Sequence, residues 1–323
     1  MKRIAILTSG GDAPGMNAAI RAVVRTAIFH GLEVTGVRRG YDGLIDGDFI
    51  SMGPDSVSDI IQRGGTILKT SRSEQFRTKE GMLEAKLKAN EAAIEGLILI
   101  GGDGTFRGAD EFSEISGIHS IGIPGTIDND LFGTDYTIGY DTALNTIIEA
   151  VDKIRDTATS HQRLFFVEVM GRDAGFIALN SGIAAGAEEI LIPEEKANID
   201  NVITRIEAGR KRNKSSFIVI VAEGDIPGGA YEIARQVKER YSYFETRITI
   251  IGHMQRGGSP TAFDRILASR FGVAAVEGLI KGRKNEMVGL INNQLVFTPF
   301  LKTKKNLVDI NQGLLDIAHM LGS

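Results

Sequence analysis

The chain has no cysteine, which excludes disulfides and thiolate metal sites and fits a cytoplasmic location. It also has no apolar run approaching the ~18 residues of a membrane span, so no membrane partner is expected. Met1-Lys2-Arg3 leads directly into a strand-like segment without the apolar region and cleavage site of a signal peptide. Positive charge is not in excess: 37 Lys and Arg against 41 Asp and Glu leave a net charge of -4, and that overall field does not favour nucleic acid. Two phosphate-binding fingerprints are missing as well. The first strand-loop-helix segment, Arg3 to His30, carries no GxGxxG, and no Lys precedes a Ser or Thr there as a P-loop requires. Any anion site must therefore be built from other groups, and no repeat or low-complexity segment offers one.

Glycine is plentiful: 39 residues, placed mainly where apolar runs end. The run Gly96-Leu97-Ile98-Leu99-Ile100 stops at Gly101-Gly102-Asp103-Gly104-Thr105. It reads as a buried parallel strand, whose carboxyl end is where open α/β sheets bind ligands. Glycines there let the backbone approach an anion, and a helix starting near Thr105 adds its positive end. Asp103 is the one acid in the loop; beside several phosphates it would need a Mg²⁺ between, and the alternative is a tight turn with Asp103 as a helix cap. Twenty residues on, Ser120 to Ile123 ends at Pro124-Gly125-Thr126-Ile127-Asp128-Asn129-Asp130. In an extended segment Asp128 and Asp130 would share one side, one near a metal and the other taking a proton; the alternative is an Asx-turn cluster.

GGDGT followed by PGTIDND resembles the ATP-dependent 6-phosphofructokinase family in its bacterial short-chain form. The likeness runs from Arg3 to about Gly282, with TSGGDAPGMN at Thr8 to Asn17, SHQR at Ser160 to Arg163, MGR at Met170 to Arg172 and GHMQRGG at Gly252 to Gly258 as further anchors. The resemblance implies an α/β fold of two similarly layered domains with mostly parallel sheets flanked by helices. The boundaries expected are 1–139 with 255–304 for a nucleotide-binding domain, and 140–254 with 305–323 for a sugar-phosphate-binding domain. It implies transfer of the γ-phosphate of ATP, as co-substrate, to the 1-hydroxyl of fructose 6-phosphate, with Mg²⁺.

Residue by residue, the resemblance implies Asp128 as the base, Thr126 as the group positioning the hydroxyl and Arg172 as the group steadying the transferred phosphate. Gly11, Tyr41, Arg72, Ser73, Arg77, Gly102, Asp103, Gly104, Thr105 and Gly108 are implied on the nucleotide side, with Asp103 as the Mg²⁺ ligand. Asp130, Arg163, Met170, Gly171, Glu223, Arg247, His253 and Arg256 are implied on the sugar-phosphate side, Arg163 and Arg247 across a subunit interface of a homotetramer. An effector site for ADP or phosphoenolpyruvate is implied at Arg21, Arg25, Arg155, Gly186, Glu188, Arg212 and Lys214.

Departures from the family pattern fall at that effector site, where Pro54 and Ser215 replace Arg and Lys. Each loss removes a charge-assisted contact of roughly 1.5–3 kcal/mol, so weak effector coupling is expected. Ser73 and Phe176 also differ, away from the chemistry. A pyrophosphate-dependent relative would carry Asp and Lys at Gly104 and Gly125; glycine at both leaves room for a nucleoside. NAD and lipid kinases share only GGDGT.

Elsewhere the patterns predict a loop over Tyr41 to Asp48, a short helix from Ser56 to Gln62, a mobile polar stretch from Thr70 to Thr78, and a second strand-helix series from Leu164 to Ile251. The loop at Gly228-Gly229 has no assignable role.

Overall fold

The structure, a computed structural model, describes all residues except 162, 196–197, 215, 225, 305–309 and 323. The chain forms two compact units, one made of Met1–Thr142 and the segment from Arg256 through the last hairpin, the other of Ala143–Gln255 and the C-terminal helix. The boundary expected at 304/305 runs into the residues outside those described.

The first unit opens with β1 (Arg3–Thr8), α1 (Met16–Phe29), β2 (Glu33–Val37), α2 (Gly40–Asp46) and β3 (Phe49–Met52). Then come α3 (Lys79–Glu91), β4 (Gly96–Gly101), α4 (Asp103–Ser116) and β5 (His119–Pro124). Helix α5 (Tyr140–His161) leads into the second unit: β6 (Arg163–Val169), α6 (Phe176–Ala184), β7 (Glu189–Leu191), α7 (Ile199–Lys211), β8 (Phe217–Ala222), α8 (Gly229–Arg240) and β9 (Glu245–Ile250). The chain returns through α9 (Ala262–Ile280), β10 (Glu286–Ile291) and β11 (Gln294–Pro299), and ends with α10 (Gln312–Leu321).

The first sheet has the order β11-β10-β5-β4-β1-β2-β3. Its inner strands are parallel, and the two edges, β3 on β2 and β11 on β10, are antiparallel. Strand β4 is buried at every residue, as an inner strand covered on both faces must be. One covering layer packs Leu97 and Leu99 under Phe106, Phe112, Tyr41 and Phe76. On α9, Gly272 allows a close helix crossing: a Cβ there would lie 2.5 Å from Ala22 of α1. Strand order reverses between β1 and β4, with β2 and β3 added on one side and β4 and β5 on the other, so the crevice at their carboxyl ends is the switch point where such sheets take ligands.

The second sheet, β7-β8-β6-β9, is wholly parallel and encloses Phe166, Val219, Phe217 and Ile233 among others. Among the described residues no helix is long and apolar enough to cross a membrane.

Several expectations fail locally. The predicted loop at Tyr41 contains α2, entered through Arg39 in the left-handed region (φ 61°) and closed by Gly47 (φ 72°). Its apolar residues are too few for a periodicity to show. The helix expected at Ser56 is only a 3-10 turn, Asp55–Val57, because the Ser56 hydroxyl accepts from the Gly53 N–H and closes a turn instead of capping a helix. Strand β3, an edge strand of four residues, was not anticipated. The stretch expected to be mobile is fastened: Thr70 Oγ1 donates to Gly10 O (2.8 Å), and the Gly10 N–H to Ser71 O (3.2 Å).

Candidate active site

In the first unit, β4 delivers Gly102 to Thr105. Helix α4 begins at Asp103, two residues earlier than expected, so the glycine loop is the helix entrance itself. The first intrahelical bonds run from Thr105 and Phe106 N–H to Gly102 O (2.9 and 3.2 Å). The N–H groups of Asp103 and Gly104 precede any intrahelical acceptor and, with the positive helix end, favour an anion. Gly104 is exposed, and a Cβ there would meet nothing within 4 Å.

The entrance is held from beneath. Thr105 Oγ1 donates to Ser9 O (3.2 Å), and the Tyr41 hydroxyl donates to Thr105 O (2.6 Å). Tyr41 is buried and stacked on Phe76 with centroids 3.9 Å apart, and burial pushes its hydroxyl pKa far up. It supports the loop from below, and Gly108 lies over the same ring, 3.4 Å from a notional Cβ.

Strand β5, one place along the sheet, delivers the second loop, and the Gly125 N–H donates to Gly101 O (2.9 Å) to tie the two together. Asp128 and Asp130 are both buried. They do not alternate along an extended segment: Ile127 and Asp128 form a turn, and Asn129 sits in the left-handed region (φ 53°). The Asn129 side chain fixes that turn, accepting from the Thr137 N–H (2.7 Å) and donating to Asp135 O (3.1 Å). The Asp128 N–H donates to Thr126 Oγ1 (3.3 Å). Room for a nucleoside is not what glycine provides at 125. A Cβ there would lie 2.8 Å from Ile100 and 3.2 Å from Met16, so the requirement is core packing.

Arg72 is exposed one residue beyond the Gly10–Ser71 tie. Arg77 is exposed and pairs with Glu74 at 3.3 Å. Ser73 Oγ accepts from the Phe76 N–H (3.1 Å) and so closes a turn, which gives it a structural use. Arg256, expected with His253 on the sugar-phosphate side, lies in the first unit, as the expected boundary has it, where its Nη1 donates to Asp12 O (3.0 Å) and lies 2.3 Å from a notional Cβ on Gly11. The switch of unit falls between Gln255 and Arg256, one residue beyond the expected 254/255 boundary.

In the second unit, the loops after β6, β8 and β9 share one sheet edge. Glu223 Oε1 accepts from the N–H groups of Arg172 (2.9 Å) and Gly171 (3.4 Å). Arg172 is exposed with φ 54°, a strained conformation of the kind that clusters at functional sites. Arg163 and Arg247 both pair with Glu245, at 2.7 Å for Arg163. His253 is exposed in the 3-10 turn Gly252–Arg256, and Met170 is partly buried.

Of the effector set, the second unit brings together Arg155, Gly186, Glu188 and Lys214. Lys214 pairs with Glu188, Arg155 stands 3.8 Å from the same carboxylate, and Arg155 Nη2 donates to Ala185 O and Gly186 O. Arg212 is exposed just after α7. Arg21 and Arg25 lie on α1 of the first unit; Pro54 is in the same unit, just before the 3-10 turn Asp55–Val57, and Ser215 lies outside the described residues.

Among the described residues no three His, Asp or Glu converge as a metal cage. Mg²⁺ does not need one, since it is held by one or two carboxylates with substrate phosphates. Asp103 fits that use: its side chain is partly exposed, its one ion pair among the described residues is a loose 3.6 Å contact with Arg107, and Gly104 beside it is open.

A glycine-rich helix entrance and a buried carboxylate at neighbouring strand ends, on a unit with a parallel core, define a phosphate-handling α/β protein. The phosphofructokinase family profile matches residues 3–279, and the chain belongs to that family. It is 56% identical to an ATP-dependent 6-phosphofructokinase of Thermus thermophilus over 99% of both chains. A Bacteroides thetaiotaomicron ATP-dependent 6-phosphofructokinase is 54% identical over 98% of this chain and 97% of its own. Of solved structures, phosphofructokinase from Saccharomyces cerevisiae matches with TM-score 0.91 at 35% identity, over 100% of this chain and 48% of that one. A Marinobacter aquaeolei pyrophosphate-dependent phosphofructokinase matches at 0.84 with 23% identity, a likeness of fold alone.

Proposed function

We propose that the chain is an ATP-dependent 6-phosphofructokinase, transferring the γ-phosphate of ATP to the 1-hydroxyl of fructose 6-phosphate to give fructose 1,6-bisphosphate and ADP. The observation that carries this reading is the Gly125–Gly101 tie, which sets the buried Asp128 loop beside the α4 entrance.

Phosphoryl transfer asks mainly for positioning and charge neutralisation. The N–H groups of Asp103 and Gly104 hold the donor phosphates, with Arg72 adding charge from the fastened segment beside Gly10. Asp103 would hold Mg²⁺, which when bound neutralises charge on the donor phosphates. Asp128 accepts the proton of the 1-hydroxyl as its oxygen bonds to the γ-phosphorus and the bond to the ADP oxygen breaks. Thr126 orients that hydroxyl, Asp130 supports the base, and Arg172 steadies the moving phosphoryl group.

The sugar phosphate is recognised by Met170, Gly171, Glu223 and His253. One Glu223 oxygen stays committed to the 171–172 backbone, leaving the other for a sugar hydroxyl. Arg163 and Arg247, held by Glu245, act on the sugar phosphate of a neighbouring subunit in a homotetramer. The second unit's Glu188 cluster, with Arg21 and Arg25 of another subunit, forms the effector site for ADP or phosphoenolpyruvate. A cytoplasmic enzyme is the reading that absent cysteine supports.

Open space at Gly104 favours ATP over pyrophosphate, since an α-phosphate has room to pass there. The test is ADP release with ATP, Mg²⁺ and fructose 6-phosphate, run beside pyrophosphate as donor. Turnover with pyrophosphate alone would overturn the reading.

A further inference from the structure

We propose that Gln255 is a positioning residue that locks two substrate loops of the second unit, after β6 and after β9, into one sugar-phosphate-binding surface. This rests on reading those loops as the sugar-phosphate site. The Gln255 side chain is fully buried, at 0% exposure, although it belongs to the turn that carries the exposed His253. Its Oε1 accepts from the Met170 N–H (3.2 Å) and its Nε2 donates to Gly252 O (3.0 Å).

Strands β6 and β9 pair in register as far as Glu168 and Ile250, and one more bond follows, from the Ile251 N–H to Glu168 O (3.0 Å). Beyond it the two chains leave the ladder, one toward Gly171-Arg172 and the other toward His253. Gln255 supplies the next cross-link at that point of divergence. Burying an amide is costly unless both ends are bonded, as they are here.

The arrangement demands a neutral side chain with an acceptor at one end and a donor at the other, which Gln offers and neither Leu nor Lys does. Glu satisfies it only when protonated. Its carbonyl oxygen then accepts from Met170 and its O–H donates to Gly252 O, whereas the ionised form faces that carbonyl with negative charge. Arg172 is also strained and fastened from its other side by Glu223, so its placement depends on both ties.

The experiment measures steady-state KM for fructose 6-phosphate and for ATP, with thermal stability, in the full-length enzyme and in Gln255→Met, Gln255→Glu and His253→Ala. Misplacement of binding groups predicts that Gln255→Met raises the sugar-phosphate KM by about tenfold or more while KM for ATP stays within about twofold. Burial raises a carboxyl pKa, so for Gln255→Glu the ratio of sugar-phosphate KM to wild type should climb between about pH 6 and about pH 9. A purely structural role would not give that selective pH profile.

An unchanged sugar-phosphate KM in Gln255→Met, or both KM values rising together, overturns the proposal. Should Gln255→Met fail to fold, a pH-independent KM ratio in Gln255→Glu overturns it and a rising ratio supports it. His253→Ala separates the two levels. If it raises the sugar-phosphate KM and the Gln255 variants do not, only the role of Gln255 falls. If it too leaves that KM unchanged, the reading of the loops as the sugar-phosphate site falls, and the role of Gln255 with it.

Discussion

Gly104 and Gly125 lie at neighbouring strand ends, yet they answer to different physics. At Gly104 a side chain meets open space, so Gly104→Asp should leave thermal stability nearly unchanged while crippling ATP use through added volume and charge. At Gly125 the neighbours are Ile100 and Met16, so Gly125→Ala should cost about 1–3 kcal/mol by overpacking. Thermal melts and ATP kinetics on the two variants distinguish these outcomes. For the base, Asp128→Asn should lower kcat by roughly 10² to 10⁴ with a much smaller change in sugar affinity; activity within about threefold of wild type would remove Asp128 from that role. Asp264 poses a different question. It is fully buried in the first turn of α9 and reaches the start of α5, accepting from the N–H groups of Gly139 (2.9 Å) and Thr142 (2.8 Å), and burial, opposed by these bonds, pushes its carboxyl up to about 6. A folded-state pKa above the unfolded value means the folded state binds the proton more tightly, so this group's contribution falls as pH rises from about 4 to about 6. A shift of about two units corresponds to about 3 kcal/mol. The stability of wild type relative to Asp264→Asn should therefore decline by that order between pH 4 and pH 7 in denaturant titrations; a flat difference would contradict it. Asp128 could be singled out from its motif, whereas Asp264 could not, because its partners lie more than 120 residues away in the chain.

Helix α8 shows what an element can hide from its own sequence. Gly228-Gly229 looked like an unassignable loop, but it is the entrance of α8, with φ of 96° and 53°. The Glu168 carboxylate from β6 accepts a hydrogen bond from the Ala230 N–H (2.8 Å) and serves as the cap that the helix lacks locally. Glycine at 229 leaves room for that carboxylate, since a Cβ would lie 2.2 Å from Glu168 Oε2. Gly229→Ala should thus destabilise the protein by roughly 1–3 kcal/mol, through both the positive φ and the displaced carboxylate. If a melt shows no loss, the capping account of α8 is wrong. The amphipathic helix α1 of the first strand-loop-helix segment and the apolar strands were legible because burial on one or two faces writes itself into residue spacing. Helix α2 and β3 were not, since a seven-residue helix and a four-residue edge strand carry too few apolar positions to establish a period. The carboxylate loop was legible as chemistry but not as geometry: two acids around an asparagine suggest alternation, while the asparagine in fact turns the chain.

At the scale of the whole molecule, the proposed effector site is where the resemblance implies a departure from the family's pattern. The proposed effector cluster in the second unit contains its own counter-ion: Glu188 is buried and engages both Lys214 and Arg155, and Arg155 also donates to two backbone carbonyls. An anionic effector must compete for those cations, and it finds proline at position 54 and serine at 215 where the pattern supplies Arg and Lys. Two missing charge-assisted contacts, each of roughly 1.5–3 kcal/mol, leave little differential affinity with which to bias a two-state equilibrium. Saturation by fructose 6-phosphate should therefore stay near-hyperbolic with millimolar phosphoenolpyruvate present, and ADP should activate little. Restoring charge by Pro54→Arg should strengthen whatever response exists, because it adds a cation to a first-unit set that otherwise consists of Arg21 and Arg25 on α1. A strongly sigmoidal wild-type curve, reversed by ADP, would show that Arg21, Arg25, Arg155, Arg212 and Lys214 suffice alone. Sedimentation under the same conditions decides whether the response belongs to a tetramer, since a fully active monomer would leave Arg163 and Arg247 without a neighbouring sugar phosphate to bind.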